Sequence, residues 1–439
     1  MSDIGALAIH SPLHKVFERN RAGGRKGVYS VCSAHPQVIR AALELARDRH
    51  QVAIIESTCN QVNQEGGYTG MIPAEFAKSV RSVAREVGLP EDYLVLGGDH
   101  LGPQPWRKLP AEAAMAKAVM MVEAYASAGY GKLHLDCSMA CADDEPSLSD
   151  SVIAERAARL ARAAEDTTAE GASKPIYIVG TEVPAPGGMG EGHEIVPTTS
   201  ASVLETWRAH ERAFIQNGLT DALARVVAIV VQPGLDFGNE EVKLFAPNEA
   251  SDLSAAVLAF ENMVYEAHST DYQTPDAYDA LVQMHFAILK VGPAATFALR
   301  EAIFALEHIA REMPGWDARY SVSSALEAAM MDDPAHWASH YDGDAERQSY
   351  LRQYSLSDRV RYYWTVPSVE SAVAALFEFV DSSVLPMPLV SQFLPQHARA
   401  VATRGIAATA SAICRAHVKL ALAPYADACG LHALDAVGV

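Results

Sequence analysis

Eight short apolar runs recur along the first two thirds of the chain: Val28–Ala34, Val52–Thr58, Leu94–Gly98, Lys132–Asp136, Ile176–Thr181, Val226–Gln232, Met263–His268 and Phe286–Val291. Most are rich in Val, Ile or Leu, as strands buried on both faces are. The stretches between them carry helical punctuation. Pro36 opens a run in which Val38, Ile39, Ala42, Leu43 and Ala46 keep a three-to-four spacing, and Pro110 opens another that ends at Gly129. After the eighth run, Phe297, Leu299, Ala302, Ile303, Leu306 and Ile309 mark one face of a buried helix. Strand alternating with helix implies a parallel sheet with helices outside it. Eight units in about 290 residues suit a closed (β/α)8 TIM barrel, although periodicity alone leaves a doubly wound sheet open.

From about Tyr320 the strand signal stops. Ala325–Met331, Val369–Val380 and Ala400–Leu422 read as helices, with loops around Pro386, Pro388 and Pro395. No Gly/Ser linker separates the two parts and no internal repeat is visible. The expected organisation is a barrel over 1–315 and a C-terminal helical extension over 316–439 packed on it.

Composition narrows the class. With 49% hydrophobic and 20% charged residues, the chain has ordinary globular usage. The net charge of −19 repels polyanions and anionic lipid, which argues against nucleic acid or a membrane surface as partner, while a local pocket can still be positive. No apolar run is long enough to span a bilayer and no signal peptide is visible, so a cytoplasmic location is expected. Cys32, Cys59, Cys137, Cys141, Cys414 and Cys429 are too sparse for a disulfide scaffold and read as reduced thiols.

Polar residues crowd behind the apolar runs: Ser33 and His35, Glu56 through Asn60, Asp99-His100, Asp136, Glu182, Gln232, and His268 through Asp271. In a parallel barrel all eight strand ends open on one face, where active sites lie. The stretch Gly97-Gly98-Asp99-His100-Leu101-Gly102-Pro103 is the most informative. Adjacent strand residues point to opposite faces, so Asp99 and His100 converge only where the chain leaves regular strand geometry, which the glycines permit. A carboxylate beside an imidazole suits acid/base work or metal ligation; the bland alternative is a turn with a hydrogen-bonded Asp. His268 adds a second imidazole to the rim, and Glu182 a carboxylate. His100, His268 and Glu182 could together hold Zn2+ or another divalent metal, although their scattered spacing leaves that open. The Gly-rich run from Pro184 to Gly192 is not a phosphate-binding P-loop, since no Gly-Lys-Ser/Thr follows it.

The blocks VCSAHP (31–36), NQVNQEGGYTGM (60–71), GGDHLGP (97–103), HLDCSM (134–139), GTEVPAPGG (180–188), VVQPG (230–234), YEAHSTDYQT (265–274) and ILKVGPAATFALREAIFAL (288–306), together with YSLSDRVRYYW (354–364), resemble the GatZ/KbaZ family across nearly the whole chain. The resemblance implies a subunit of the class II, zinc-dependent D-tagatose-1,6-bisphosphate aldolase of galactitol, tagatose and N-acetylgalactosamine breakdown. That family supports the activity and stability of a separate GatY/KbaY-like catalytic subunit. More distantly the chain is similar to the class II aldolases themselves. That likeness implies Asp99 and Glu182 as catalytic groups, His100 and His268 as metal ligands, and Gln232 at a further ligand position. Substrate contacts fall to Asn60, Asp136, Asp271, Lys290 and Gly292, with a sugar phosphate as ligand. Three departures stand out. Gln232 replaces a histidine, the loop after His268 is not glycine-rich, and Gly292 stands where asparagine is expected. Three functions follow: accessory subunit, self-sufficient metal-dependent lyase cleaving a ketose bisphosphate to glycerone phosphate and glyceraldehyde 3-phosphate, or the tagatose-6-phosphate kinase with which the family is often labelled. The kinase lacks a nucleotide-phosphate cradle in this sequence. A homo-oligomer is left open.

Overall fold

The computed structural model describes residues 12–180 and 195–430. Eight parallel strands close into a barrel: β1 (Val28–Cys32), β2 (Ala53–Thr58), β3 (Leu94–Leu101), β4 (Lys132–Leu135), β5 (Ile176–Val179), β6 (Val226–Val231), β7 (Val264–Ala267) and β8 (Ile288–Val291). Neighbours in sequence are neighbours in the sheet, and β1 pairs with β8 to complete the ring. Each of the eight apolar runs supplies one strand. The closed order removes the doubly wound alternative.

The two strand faces differ in a way that positions the site. Outward residues such as Tyr29, Ile55, Leu133, Tyr265 and Leu289 join the large core under the surrounding helices. Inward residues change character along the strand. Near the N-terminal ends they are apolar (Val28, Ile54, Val95, Ile176, Val264, Ile288), and a helix not foreseen from the sequence, Pro12–Arg21, packs Leu13, Val16 and Phe17 against them. Two residues further along, the same face carries Ser30, Glu56, Glu266 and Lys290, all buried. The period of two therefore gives the barrel an apolar floor and a charged upper layer.

The C-terminal helices wrap the barrel. Helices Val322–Asp332 and Pro367–Ser382 fall where the apolar pattern predicts them. The run read as one helix over Ala400–Leu422 is instead two, Pro395–Ala402 and Ala410–Cys429, because Arg404 turns left-handed (φ 59°) beside Gly405. The last helix seats against helices Pro36–Arg49 and Pro293–Arg311. Its Tyr425 hydroxyl donates to the Thr270 carbonyl at 2.9 Å, in the loop after β7. Tyr425→Phe is expected to cost about 1 kcal/mol in urea unfolding, since that carbonyl keeps the Tyr278 hydroxyl as a second donor. An undetectable change would mean the helix does not brace this loop.

The block Tyr354–Trp364 lies over the barrel mouth. The Leu356 amide donates to the Asn239 carbonyl (2.8 Å) and the Tyr272 hydroxyl to the Leu356 carbonyl (2.7 Å). Asp358, itself left-handed (φ 45°), accepts from Thr296 Oγ1 at 2.6 Å and pairs with Arg300 at 3.4 Å. Among the described residues no helix is long and apolar enough to cross a membrane.

Candidate metal centre and barrel mouth

The end of β3 leaves strand geometry where the sequence suggested. Its register against β4 shifts between Gly98 and Leu101, and His100 adopts φ 48°. This bulge turns Asp99 and His100 toward one point. Gly102 follows because a Cβ there would meet the Asp136 carbonyl oxygen at 1.7 Å, a distance no side chain tolerates.

Asp99, His100, His134 and His268 each offer a ligand atom within 4.8 Å of the others. The three imidazoles surround a common space, with ring centroids 4.9 Å (His100–His134), 4.9 Å (His100–His268) and 5.2 Å (His134–His268) apart. Each ring has one nitrogen fixed by a carboxylate. Asp136 Oδ2 lies 2.7 Å from His100 Nδ1, Asp99 Oδ1 2.9 Å from His134 Nδ1, and Glu266 Oε1 2.9 Å from His268 Nε2. His134 Nδ1 also faces the His100 amide at 3.3 Å; the shorter contact, to a carboxylate, sets the tautomer. That leaves His134 Nε2 buried and without a hydrogen-bond partner. A carboxylate behind each imidazole and an orphaned buried nitrogen in front suit a divalent metal such as zinc.

Beneath this cluster lies a buried ion network. Lys132 Nζ sits 2.6 Å from both Glu56 Oε1 and Glu266 Oε2, while Lys290 Nζ pairs with Glu56 and, at 2.8 Å, with Asp99 Oδ1. Burial alone would raise the carboxyl groups, but the two lysines and His100 outweigh it. Glu56 is held below the usual range, and Asp99 and Glu266 well below. The lysines are raised, Lys290 well above its usual value, despite burial acting against their charge. Lys290 is therefore a fixed cation rather than a nucleophile. At His100 burial again opposes charge, yet Asp99 and Asp136 raise it to about 9, so a cation is already favoured there. At His268 burial prevails and lowers the imidazole to about 4.

A cavity of about 410 Å³ opens beside the cluster, between the ends of β1 and β8 and the C-terminal block. Cys32, His35, Gln61, Tyr68, Arg361 and Trp364 are among its lining residues. Cys32 ties it to the cluster, since its Sγ lies with Glu56 and Asp99 in a second group of atoms within 4.8 Å. His35 caps helix Pro36–Arg49 by accepting from the Gln37 amide through Nδ1 (3.2 Å), and burial lowers it to about 4. Its folded value lies below its unfolded one, so its contribution is present above pH 6.5 and lost as pH falls toward 4. His35→Asn keeps a cap without titrating. Its urea midpoint should fall less than the parent's between pH 6.5 and 4; an equal fall would mean the imidazole does not titrate in this range.

The residues singled out from sequence separate into groups. Asp99, His100 and His268 come together. Asp136 stands behind His100 and also accepts from the Ser138 hydroxyl at 2.6 Å. Gln232 commits its amide oxygen to the amides of Gly234 (2.8 Å) and Leu235 (3.1 Å), which leaves only the nitrogen side free. Asp271 Oδ1 accepts from the amides of Gly292 (3.0 Å) and Ala294 (2.9 Å), at the start of helix Pro293–Arg311. Burial raises Asp271 to about 6. Lys290 lies in the ion network, Gly292 lines the cavity, and Asn60 is exposed. Glu182 and the Pro184–Gly192 loop lie outside the described residues. Sequence reasoning placed Glu56 among the strand-end polar residues without giving it a role, and missed His134, Lys132 and Glu266. The signal was present in Lys132-Leu-His134-Leu-Asp136, where every second residue is polar.

Fold and cluster define a (β/α)8-barrel protein with a three-histidine, one-aspartate metal-binding candidate at the C-terminal ends of its strands. The chain matches the D-tagatose-1,6-bisphosphate aldolase subunit GatZ/KbaZ-like family over residues 13–430 and belongs to that family. The crystal structure of a probable tagatose 6 phosphate kinase from Sinorhizobium meliloti 1021 is 46% identical, with a TM-score of 0.85 over 92% of this chain and 100% of that one. A putative fructose-1,6-biphosphate aldolase from Coccidioides immitis and the fructose-bisphosphate aldolase of Campylobacter jejuni each align over 84% of this chain, at 13% identity and a TM-score of 0.45. The alignments cover 99% and 94% of those chains respectively. At that level the likeness carries no functional weight.

Proposed function

We propose that this chain is the accessory subunit of a D-tagatose-1,6-bisphosphate aldolase, raising the activity and stability of a separate class II catalytic subunit in the cytoplasm. Family membership over residues 13–430 carries the reading. The mouth supports it. The amides of Gly292 and Ala294, positioned to receive an anion, are already occupied by Asp271, and the loop after His268 has no glycine.

The metal cluster favours a second reading, a lyase in its own right. His100, His134 and His268 would hold the ion, with Asp99 beside it, and the ion would supply Lewis acidity toward a carbonyl oxygen. The chain's own groups would do the rest. Asp136, Asp99 and Glu266 fix the imidazole tautomers, Lys290 holds Asp99 ionised, and Asp99 is placed to take a hydroxyl proton. A kinase finds no support in the described residues, where no glycine-rich backbone loop faces the cavity with a lysine.

One assay separates the readings. Zinc-loaded protein is given tagatose 1,6-bisphosphate alone and then with a class II aldolase subunit. The accessory role predicts turnover in the mixture only, with a longer thermal half-life for the partner. Turnover by the chain alone, abolished by His134→Ala, would establish the lyase and overturn the accessory role.

A further inference from the structure

Among the described residues lining the mouth cavity, Arg361 is the single guanidinium or ammonium group. It comes from the C-terminal extension, not the barrel. Its Nη1 donates to the backbone carbonyls of Ser357 and Asp358, the latter at 3.0 Å, and its Nη2 to the Tyr362 hydroxyl at 3.2 Å. The guanidinium lies over the Tyr362 ring, 4.6 Å from its centroid. All these partners are neutral acceptors or a π face. Among the described residues no carboxylate forms an ion pair with Arg361, and the neighbouring Asp358 carboxylate is spent on Thr296 and Arg300. The result is a planar cation held in one orientation by neutral partners, with N–H groups in reserve and, among the described residues, no carboxylate bonded to it, at the wall of a cavity. Glu370, the one carboxylate among the described residues lining that cavity, is exposed to solvent.

We propose that Arg361 anchors a phosphate ester in this cavity, so that the extension rather than a barrel loop recognises the anionic end of the ligand. The amides that start helix Pro293–Arg311 are closed to an anion by Asp271, which leaves Arg361 as the available partner. Tyr68 and Trp364 wall the cavity with aromatic faces suited to the C–H faces of a short polyol chain. Cys32 connects it to the Asp99 side of the metal cluster, so one ligand spans both, its oxygenated carbons toward the cluster and its phosphate on Arg361. The choice of ligand rests on the aldolase reading above.

The test uses the full zinc-loaded chain without a partner, titrated calorimetrically with glycerone phosphate, with dihydroxyacetone and with inorganic phosphate. Glycerone phosphate is expected to bind more tightly than dihydroxyacetone and to be displaced by inorganic phosphate. Arg361→Met should weaken it about 10–100-fold, the range for a charged hydrogen bond, and leave dihydroxyacetone unchanged. Arg361 also braces backbone carbonyls, so a second variant guards against misfolding. Thr365→Glu adds a carboxylate at an exposed lining position and should weaken glycerone phosphate in a salt-dependent way. Equal affinity for the phosphorylated and unphosphorylated triose, or parental affinity in both variants, would overturn the proposal. Failure to activate a partner aldolase would sink the accessory role and leave this result untouched.

Discussion

Replacing His134 by alanine should strip the barrel mouth of zinc. The other two imidazoles and Asp99 remain, but the orphaned buried nitrogen is lost, and with it the Asp99 contact that fixes the ring. Losing an outer partner of a ligand typically costs about 10–100-fold in metal affinity, and losing the ligand itself should cost more. The graded expectation is a loss beyond 100-fold for His134→Ala and about 10–100-fold for Asp136→Asn, which only releases His100. Gln232→Ala should change affinity little, because its oxygen already serves the Gly234 and Leu235 amides. Competition with a chromogenic zinc chelator reads all three. His100 is raised to about 9, so zinc must displace a proton from it, and affinity should fall up to tenfold per unit as pH drops below that value. In Asp136→Asn the onset should move to lower pH. Full zinc occupancy in His134→Ala would show that the three rings do not form one site.

How far this site was legible in the sequence depends on which periodicity is followed. Strand position was readable because runs such as Val226–Val231 are apolar on both faces and helices punctuate them. The bulge at Asp99-His100 was readable from its glycines. His134 was harder to find, because it precedes the strand end by one residue and hides between two leucines. Parity decides it, since Lys132, His134 and Asp136 share the inward face. The same parity would have found Glu266 two residues before His268. What parity could not give is which inward polar residues meet across the barrel, because closure brings β2, β4, β7 and β8 together from positions 56 to 290. Gln232 shares that parity, and its amide oxygen is engaged within its own loop. The turn at Gly234 recruits its oxygen, a tertiary event that the residue type does not announce. The break at Arg404 is likewise a matter of local backbone conformation inside an otherwise helical pattern.

Removing Lys132 should be the most damaging single change to stability. Its side chain is 0% exposed and lies between two carboxylates that are also 0% exposed. Lys132→Met fills much of the volume but leaves Glu56 and Glu266 sharing one remaining cation, Lys290. Breaking a buried pair costs about 3–5 kcal/mol, and two partners lost at once place this variant toward the upper end. Lys132→Met/Glu56→Gln removes one of the uncompensated charges, so its cost should fall below the sum of the single changes, with a coupling of about 0.5–3 kcal/mol. The pH dependence follows from the directions of the shifts. Glu56 and Glu266 lie below their unfolded values in the parent, so they contribute stability above about pH 4.5 that is lost as pH falls through the folded values. Lys132 lies above its unfolded value, so its share persists until pH rises past 10.5. The parent thus holds the network intact across the neutral range. Without Lys132 the carboxyls move up and can take the missing positive charge as a proton, so the variant's deficit should shrink as pH is lowered from 7 toward 5. Urea midpoints at both values measure it. A deficit below about 1 kcal/mol at pH 7, or one that grows on acidification, would mean that the upper layer of the barrel does not hold its carboxylates as ions.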